Sequence, residues 1–285
     1  MNFYQLDVFA HNAYQGNPLA VFPDAGDLTT DQMQALAREM NLSETTFVTS
    51  TTRDSYDVRI FTPSSELPFA GHPTIGTAWL LKEIELVTGD HVVQRSAAGE
   101  TRVSFSGADV WFDRTGSSED DLEATKPNIV AEIAAALSIE ATDIGFEARE
   151  IGRPGRLRPG YGDAGLHQLM VPLRDVETLG RVQPQASLTD VDPMGAYCFA
   201  PVKAGAIRSR GFFPGVGVAE DPATGSAAAA LGMYLAARIG DIRLEMTQGV
   251  EMGRPSTIEL DASEGHVRVG GRCRLIFAGE LKALP

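Results

Sequence analysis

The chain's 285 residues exceed what most single cores accommodate and point to two domains. A 43% hydrophobic and 22% charged content is that of an ordinary globular protein, and no window approaches the roughly 18 apolar residues of a membrane span. With 24 basic and 38 acidic residues the net charge is −14, which disfavours nucleic-acid binding but leaves room for a local site for a small anion.

The first residues, Met1-Asn2-Phe3-Tyr4-Gln5-Leu6-Asp7, lack the basic stretch and apolar core of a signal peptide, so a cytoplasmic protein is expected. Residues 3–9 read as a strand, Gly16-Asn17-Pro18 as a turn and 19–22 as a second strand. Thr29 begins a helix with Gln32 in capping-box spacing, and Met33, Leu36, Ala37 and Met40 recur on one face. Asn41-Leu42-Ser43-Glu44 ends it, and residues 45–50 and 56–62 are strand-like. Gly71-His72-Pro73-Thr74 opens a helix expected over 73–83, because proline suits a first turn, where no N–H partner is needed. Ile75, Ala78 and Trp79 mark its apolar face; Lys82 breaks the stripe and places the helix end near solvent. Strands follow near 91–96, 101–105 and 109–113, and the acidic stretch Gly116 to Asp121 is the predicted linker.

The second half repeats this plan. A helix near 128–138 is followed by strands around 145–151 and 167–172, with a Gly/Pro/Arg-rich mobile loop expected at 152–165. Strands near 196–201 and 206–213 lead to Asp221-Pro222-Ala223-Thr224-Gly225-Ser226 and a helix over 226–238. That helix is apolar nearly all round, the mark of a buried helix. Arg59-Ile60-Phe61-Thr62-Pro63 and Arg210-Gly211-Phe212-Phe213-Pro214 share three of five residues, each ahead of a Gly-containing helix start. The expected class is α+β with two pseudo-symmetric domains, 1–115 and 122–275, a strand at about 276–285 returning to the first. Each domain is expected to be a curved, mostly antiparallel, barrel-like sheet wrapped around one apolar helix.

The two helix starts are the first candidates for chemistry. Unpaired N–H groups and a partial positive charge there suit a carboxylate or phosphate. Gly71 and Gly225 let the backbone approach a ligand, and if the halves face each other both starts converge on one cleft. Glu44, flanked by Leu42 and Phe47, is either a solvated glutamate or a carboxylate whose apolar walls raise its pKa for general acid–base work. His72 either bonds locally or relays a proton, and Asp221 either complements the helix start or assists the chemistry. The five histidines show no metal-ligand spacing; no phosphate-binding glycine loop or Gly-x-Ser-x-Gly elbow occurs. Cys198 and Cys273 lie far apart and are expected to be reduced structural thiols.

Five segments carry a resemblance to a known family. They are Asp7-Val8-Phe9 with Gly16 to Val21, Asn41 to Thr45, Phe69 to Thr74, Glu220 to Ala227, and Gln248-Gly249 with Met252 to Ser256. In that order, over nearly the whole chain, they resemble the PhzF family of phenazine-biosynthesis isomerases. The resemblance implies a diaminopimelate-epimerase-like fold, cofactor-free isomerisation without a metal, and a homodimer. Its type reaction moves a proton within trans-2,3-dihydro-3-hydroxyanthranilate. Glu44 is then the proton-shuttling carboxylate and His72 and Asp221 its polar support. Gly71, Pro73, Thr74, Thr224, Gly225 and Ser226 hold a small carboxylate-bearing substrate. The related epimerases use a thiol at each helix start; Ala70 and the stretch Asp221 to Thr224 contain none here, so a two-thiol mechanism is unavailable. A one-base epimerase, a lyase, or a non-catalytic binder of small anions are the alternatives on the same fold.

Overall fold

The computed structural model describes residues 1–119, 122 and 126–285. The chain divides into a unit of Met1–Asp113 with Gly270–Pro285 and a unit of Arg114–Val269. The helices are α1 (Thr30–Met40), α2 (Gly71–Glu83), α3 (Ile129–Leu137), α4 (Val176–Arg181), α5 (Leu188–Val191) and α6 (Gly225–Ile239). No helix among the described residues is long and apolar enough to cross a membrane.

In the first unit, Cys273–Glu280 runs antiparallel to Asn2–Val8, which is antiparallel to Asn17–Phe22. Asn17–Phe22 lies parallel to Glu44–Thr51, and Glu44–Thr51 antiparallel to Ser55–Phe61. Ser55–Phe61 takes two further partners, Glu66–Leu67 antiparallel and His91–Ser96 parallel; Gly99–Ser106 and Asp109–Thr115 continue antiparallel. One face of this sheet packs on α2. The close fit requires Gly76: a Cβ there would lie 2.6 Å from Leu19 Cδ2 and 2.7 Å from Val8 Cγ2. α2 is buried over most of its length, and Lys82 emerges at its end with Nζ 2.7 Å from Gly89 O and 4.1 Å from the Phe105 ring centroid. On the other face, Met33, Leu36 and Ala37 of α1 join Phe22, Phe47 and Phe61 in a separate core. The capping box forms as expected, with Thr29 and Gln32 satisfying each other's N–H groups.

The second unit repeats this order. Ser117–Glu119, Gly160–Asp163 and His167–Pro172 are successively antiparallel. Ala196–Lys203 lies parallel to His167–Pro172, and Ala206–Phe213 antiparallel to Ala196–Lys203. Ala206–Phe213 again takes two partners, Val218–Asp221 antiparallel and Ile242–Gln248 parallel, with Ser256–Ser263 antiparallel to the latter. α6 packs on one face; α3, α4 and α5 cover a second core around Leu169, Val171 and Cys198.

The five-residue echo has a structural counterpart. Arg59 pairs bidentately with Glu66 at 2.8 and 2.7 Å and lies 5.1 Å over the Phe61 ring. Arg210 pairs with Glu220 at 2.8 and 2.9 Å and lies 4.7 Å over Phe212. Each arginine ties the strand that carries it to the short strand preceding a central helix.

Three segments differ from the sequence reading. Of residues 145–151, only Phe146–Glu147 is strand; Ala148–Ile151 is a 3-10 turn. The segment 152–165, expected as loop, contains Arg156–Leu157 and the sheet strand Gly160–Asp163. Of the expected linker, Ser117–Glu119 is strand, and residues 120 and 121 lie outside the described residues.

Candidate active site

α1 stops at Asn41, whose left-handed conformation (φ 50°) caps the helix while its N–H donates to Ala37 O. The chain then enters Glu44–Thr51 with Glu44 first, level with Leu19 of the parallel neighbour. Glu44 keeps 17% side-chain exposure, and its Oε2 lies 3.4 Å from Nε2 of His72, which is only 4% exposed. That contact is an ion pair only if the imidazole is protonated. Burial holds the His72 pKa down to about 3, so the ring is neutral near pH 7 and the contact is one of imidazole beside carboxylate. The other ring nitrogen, Nδ1, lies 3.2 Å from Nδ2 of the fully buried Asn17. Asn17 is held there by the turn before it: Gly16 has φ 71°, and a Cβ would lie 2.2 Å from Val8 O.

The start of α2 has no side-chain cap, because the N-cap residue is Ala70, and Pro73 carries no N–H. The first-turn N–H groups ahead of Pro73 are therefore those of Gly71 and His72. Thr74 is committed within the fold: its hydroxyl donates to Ala70 O at 2.9 Å and accepts from Gln94 Nε2 at 2.9 Å. Gln94 in turn accepts from the buried Tyr56 hydroxyl at 2.9 Å.

A similar brace stands at the start of α6 in the second unit. Asp221 ends Val218–Asp221 with 8% exposure, and its Oδ2 accepts from the Thr224 hydroxyl at 2.6 Å. Gln248 accepts from Thr224 N–H at 3.2 Å and from Tyr197 O–H at 2.7 Å. Its amide donates to Asp221 O at 2.8 Å and Thr224 Oγ1 at 2.9 Å. Ser256 Oγ donates to Pro222 O at 2.8 Å. Gly225 is buried at the first helical position and Ser226 is part-exposed.

Within the first unit, then, Glu44, His72, Gly71, Pro73 and Thr74 gather around the start of α2. Within the second, Asp221, Thr224, Gly225 and Ser226 gather around the start of α6. Asn17, Gln94 and Gln248 were missed as working residues. For Asn17 and Gln248 a signal was present, since Gly16-Asn17-Pro18 and Gln248-Gly249 both belong to the segments that carry the family resemblance, whereas Gln94 lies outside them; a partner 55 positions away cannot be read from spacing. Both cysteines are free and buried, and burial pushes the Cys198 thiol up to about 12. Among the described residues no three His, Cys, Asp or Glu side chains cluster as a metal site.

Comparison with known proteins places the chain in a family. The family model described as phenazine biosynthesis-like protein matches residues 6–279. The chain belongs to the PhzF family. The trans-2,3-dihydro-3-hydroxyanthranilate isomerase of Pseudomonas fluorescens is 37% identical over 266 residues, covering 90% of this chain and 88% of that protein. A crystal structure of a PhzF-family protein from Enterococcus faecalis superposes with TM-score 0.78 at 27% identity, covering 99% of each chain. A probable proline racemase from Agrobacterium radiobacter shares the fold more distantly, with TM-score 0.55 at 14% identity, covering 98% of this chain and 92% of that one. This PhzF-family chain is an isomerase with a mixed α+β fold of the epimerase-like kind.

Proposed function

We propose that this isomerase shifts a proton, without a cofactor, within a small carboxylate-bearing cyclic diene similar to trans-2,3-dihydro-3-hydroxyanthranilate. The observation that carries this is the part-buried Glu44 carboxylate 3.4 Å from a neutral, buried His72 at the start of α2. Glu44 takes the proton as a substrate C–H bond breaks, and the electron pair delocalises along the diene. The resulting carboxylic acid then delivers the proton to another carbon on the same face. Proton and electrons balance within the substrate. The substrate carboxylate is received by N–H groups at a helix start, where the helix dipole favours an anion. Asp221, Thr224, Gly225 and Ser226 are assigned to holding the substrate, with Asp221 as polar support.

Each unit is taken as a curved sheet wrapped around its central helix, two copies of one ancestral plan. The repeated order of strand pairings supports that duplication. A homodimer is proposed as the working form, supported by exposed Leu275 and Phe277 on Cys273–Glu280.

Glu44→Gln keeps shape but cannot accept the proton. With trans-2,3-dihydro-3-hydroxyanthranilate in deuterated water, the wild type is expected to incorporate label at the receiving carbon. E44Q is expected to lose at least about 10²-fold in kcat while binding substrate. E44Q retaining more than about a tenth of wild-type kcat would remove Glu44 from the shuttle role.

A further inference from the structure

Asn17 carries no role in the chemistry so far, yet it is fully buried and reaches His72 across 55 residues of sequence. A neutral imidazole has one N–H and one lone pair, so its two nitrogens must take opposite hydrogen-bonding roles. The amide group 3.2 Å from Nδ1 is Nδ2 of Asn17, a donor, which makes Nδ1 the acceptor. The proton is then on Nε2, which lies 3.4 Å from Glu44 Oε2.

Flipping the amide would turn its oxygen to Nδ1 and move the ring proton there. The Nε2 lone pair would then face the Glu44 carboxylate, which the shuttle role requires to be a proton acceptor, two acceptors opposed in a buried place. The base role of Glu44 therefore selects the amide orientation as well as the ring tautomer.

We propose that Asn17 is a positioning residue that fixes His72 as the Nε2–H tautomer, so that His72 donates towards Glu44 and the substrate and leaves the base role to Glu44. This rests on the assignment of Glu44 as the shuttle and adds the division of labour between the two groups. At 3.4 Å the Nε2–H contact is longer than a normal N–H···O bond, and Nε2 makes no hydrogen bond of standard geometry. The N–H is thus available to an acceptor on the substrate, or to Glu44 after a shift of a few tenths of an ångström.

The test is long-range proton–nitrogen NMR of the full chain labelled with ¹⁵N-histidine, the His72 signals being identified by their loss in His72→Gln. The expected wild-type pattern at pH 7 is a pyridine-type Nδ1 and a pyrrole-type Nε2. Asn17→Asp replaces the donor by an acceptor and is expected to reverse that pattern. It should lower kcat by about 10–10²-fold with a smaller change in KM, below the roughly 10⁴-fold loss seen where a wrong-tautomer imidazole is itself the base. Asn17→Ser, which can donate or accept, is expected to restore part of both. A pyrrole-type Nδ1 in the wild type would overturn the proposal, as would an unchanged tautomer in a folded Asn17→Asp protein. The wild-type spectrum decides even if the variants do not fold. Because it needs no turnover, failure here is separable from failure of Glu44 as the shuttle, which E44Q reads.

Discussion

His72 occupies the first turn of α2 as a neutral ring, and that has a consequence for stability. Its folded pKa of about 3 lies below the ordinary value of 6.5, because burial disfavours the charged form. Below pH 6.5 the unfolded chain takes up a proton that the folded chain refuses, so stability falls as the pH drops towards 3. By pH 4 the loss from this group alone is on the order of 3 kcal/mol. His72→Gln has no such titration. It is expected to be about 1–2 kcal/mol less stable than wild type at pH 7, with that gap closing or inverting by pH 4 in urea denaturation. A gap independent of pH would mean that the ring is not held neutral. At this scale the local signals at Glu44 and His72, a carboxylate in an apolar-flanked break and a histidine in a helix start, left a bland alternative open for each, and it was the family resemblance of the segments around them that singled them out. Asn17 and Gln248 were not legible as working residues, because their work is done on partners that only the folded chain brings near.

Both central helices start without a side-chain cap of their own, at Ala70 and Thr224, and both are braced by a buried glutamine from the following parallel strand. Gln248 uses its oxygen and its amide on four partners, so its replacement by leucine removes the bonds made to Thr224 N–H and Asp221 O and one of the two bonds each of the Tyr197 and Thr224 hydroxyls. Gln248→Leu is expected to cost about 2–4 kcal/mol in chemical denaturation, at about 1–3 kcal/mol per orphaned group with partial relaxation. It is also expected to lower kcat, since the Thr224 hydroxyl that bonds Asp221 loses its own anchor. Gln248→Leu matching wild type in both respects would show that the brace does not position Asp221. Helices with strong local signals, the capping box of α1 above all, were readable from sequence. The strand Gly160–Asp163 was hidden because glycine disfavours strand; Gly162 stands there because a Cβ would lie 1.9 Å from Ala230 O of α6. Tertiary packing overrides local preference at that position.

Across the whole chain, the shared order of parallel and antiparallel neighbours supports reading the five-residue echo as a duplication, and the terminal strand bears on assembly. In the first unit the terminal strand Cys273–Glu280 pairs along one edge with Asn2–Val8, while Leu275 and Phe277 remain 49% and 53% exposed. Exposed apolar residues on an edge strand are a liability that proteins ordinarily cover. A second copy seated along this strand in a self-complementary contact, as closed dimers require, would cover them. The pairing bulges between Leu275 and Phe277, which twists the edge and makes side chains, not a continued ladder, the expected contact. Sedimentation velocity at micromolar concentration is expected to show a dimer for the wild type and a monomer for the double substitution Leu275→Lys, Phe277→Lys. Neither position is in the core, so the far-ultraviolet circular dichroism and the melting temperature are expected to change little. A wild-type monomer would dismiss the dimer, whereas a double variant that stays dimeric would move the interface off this strand.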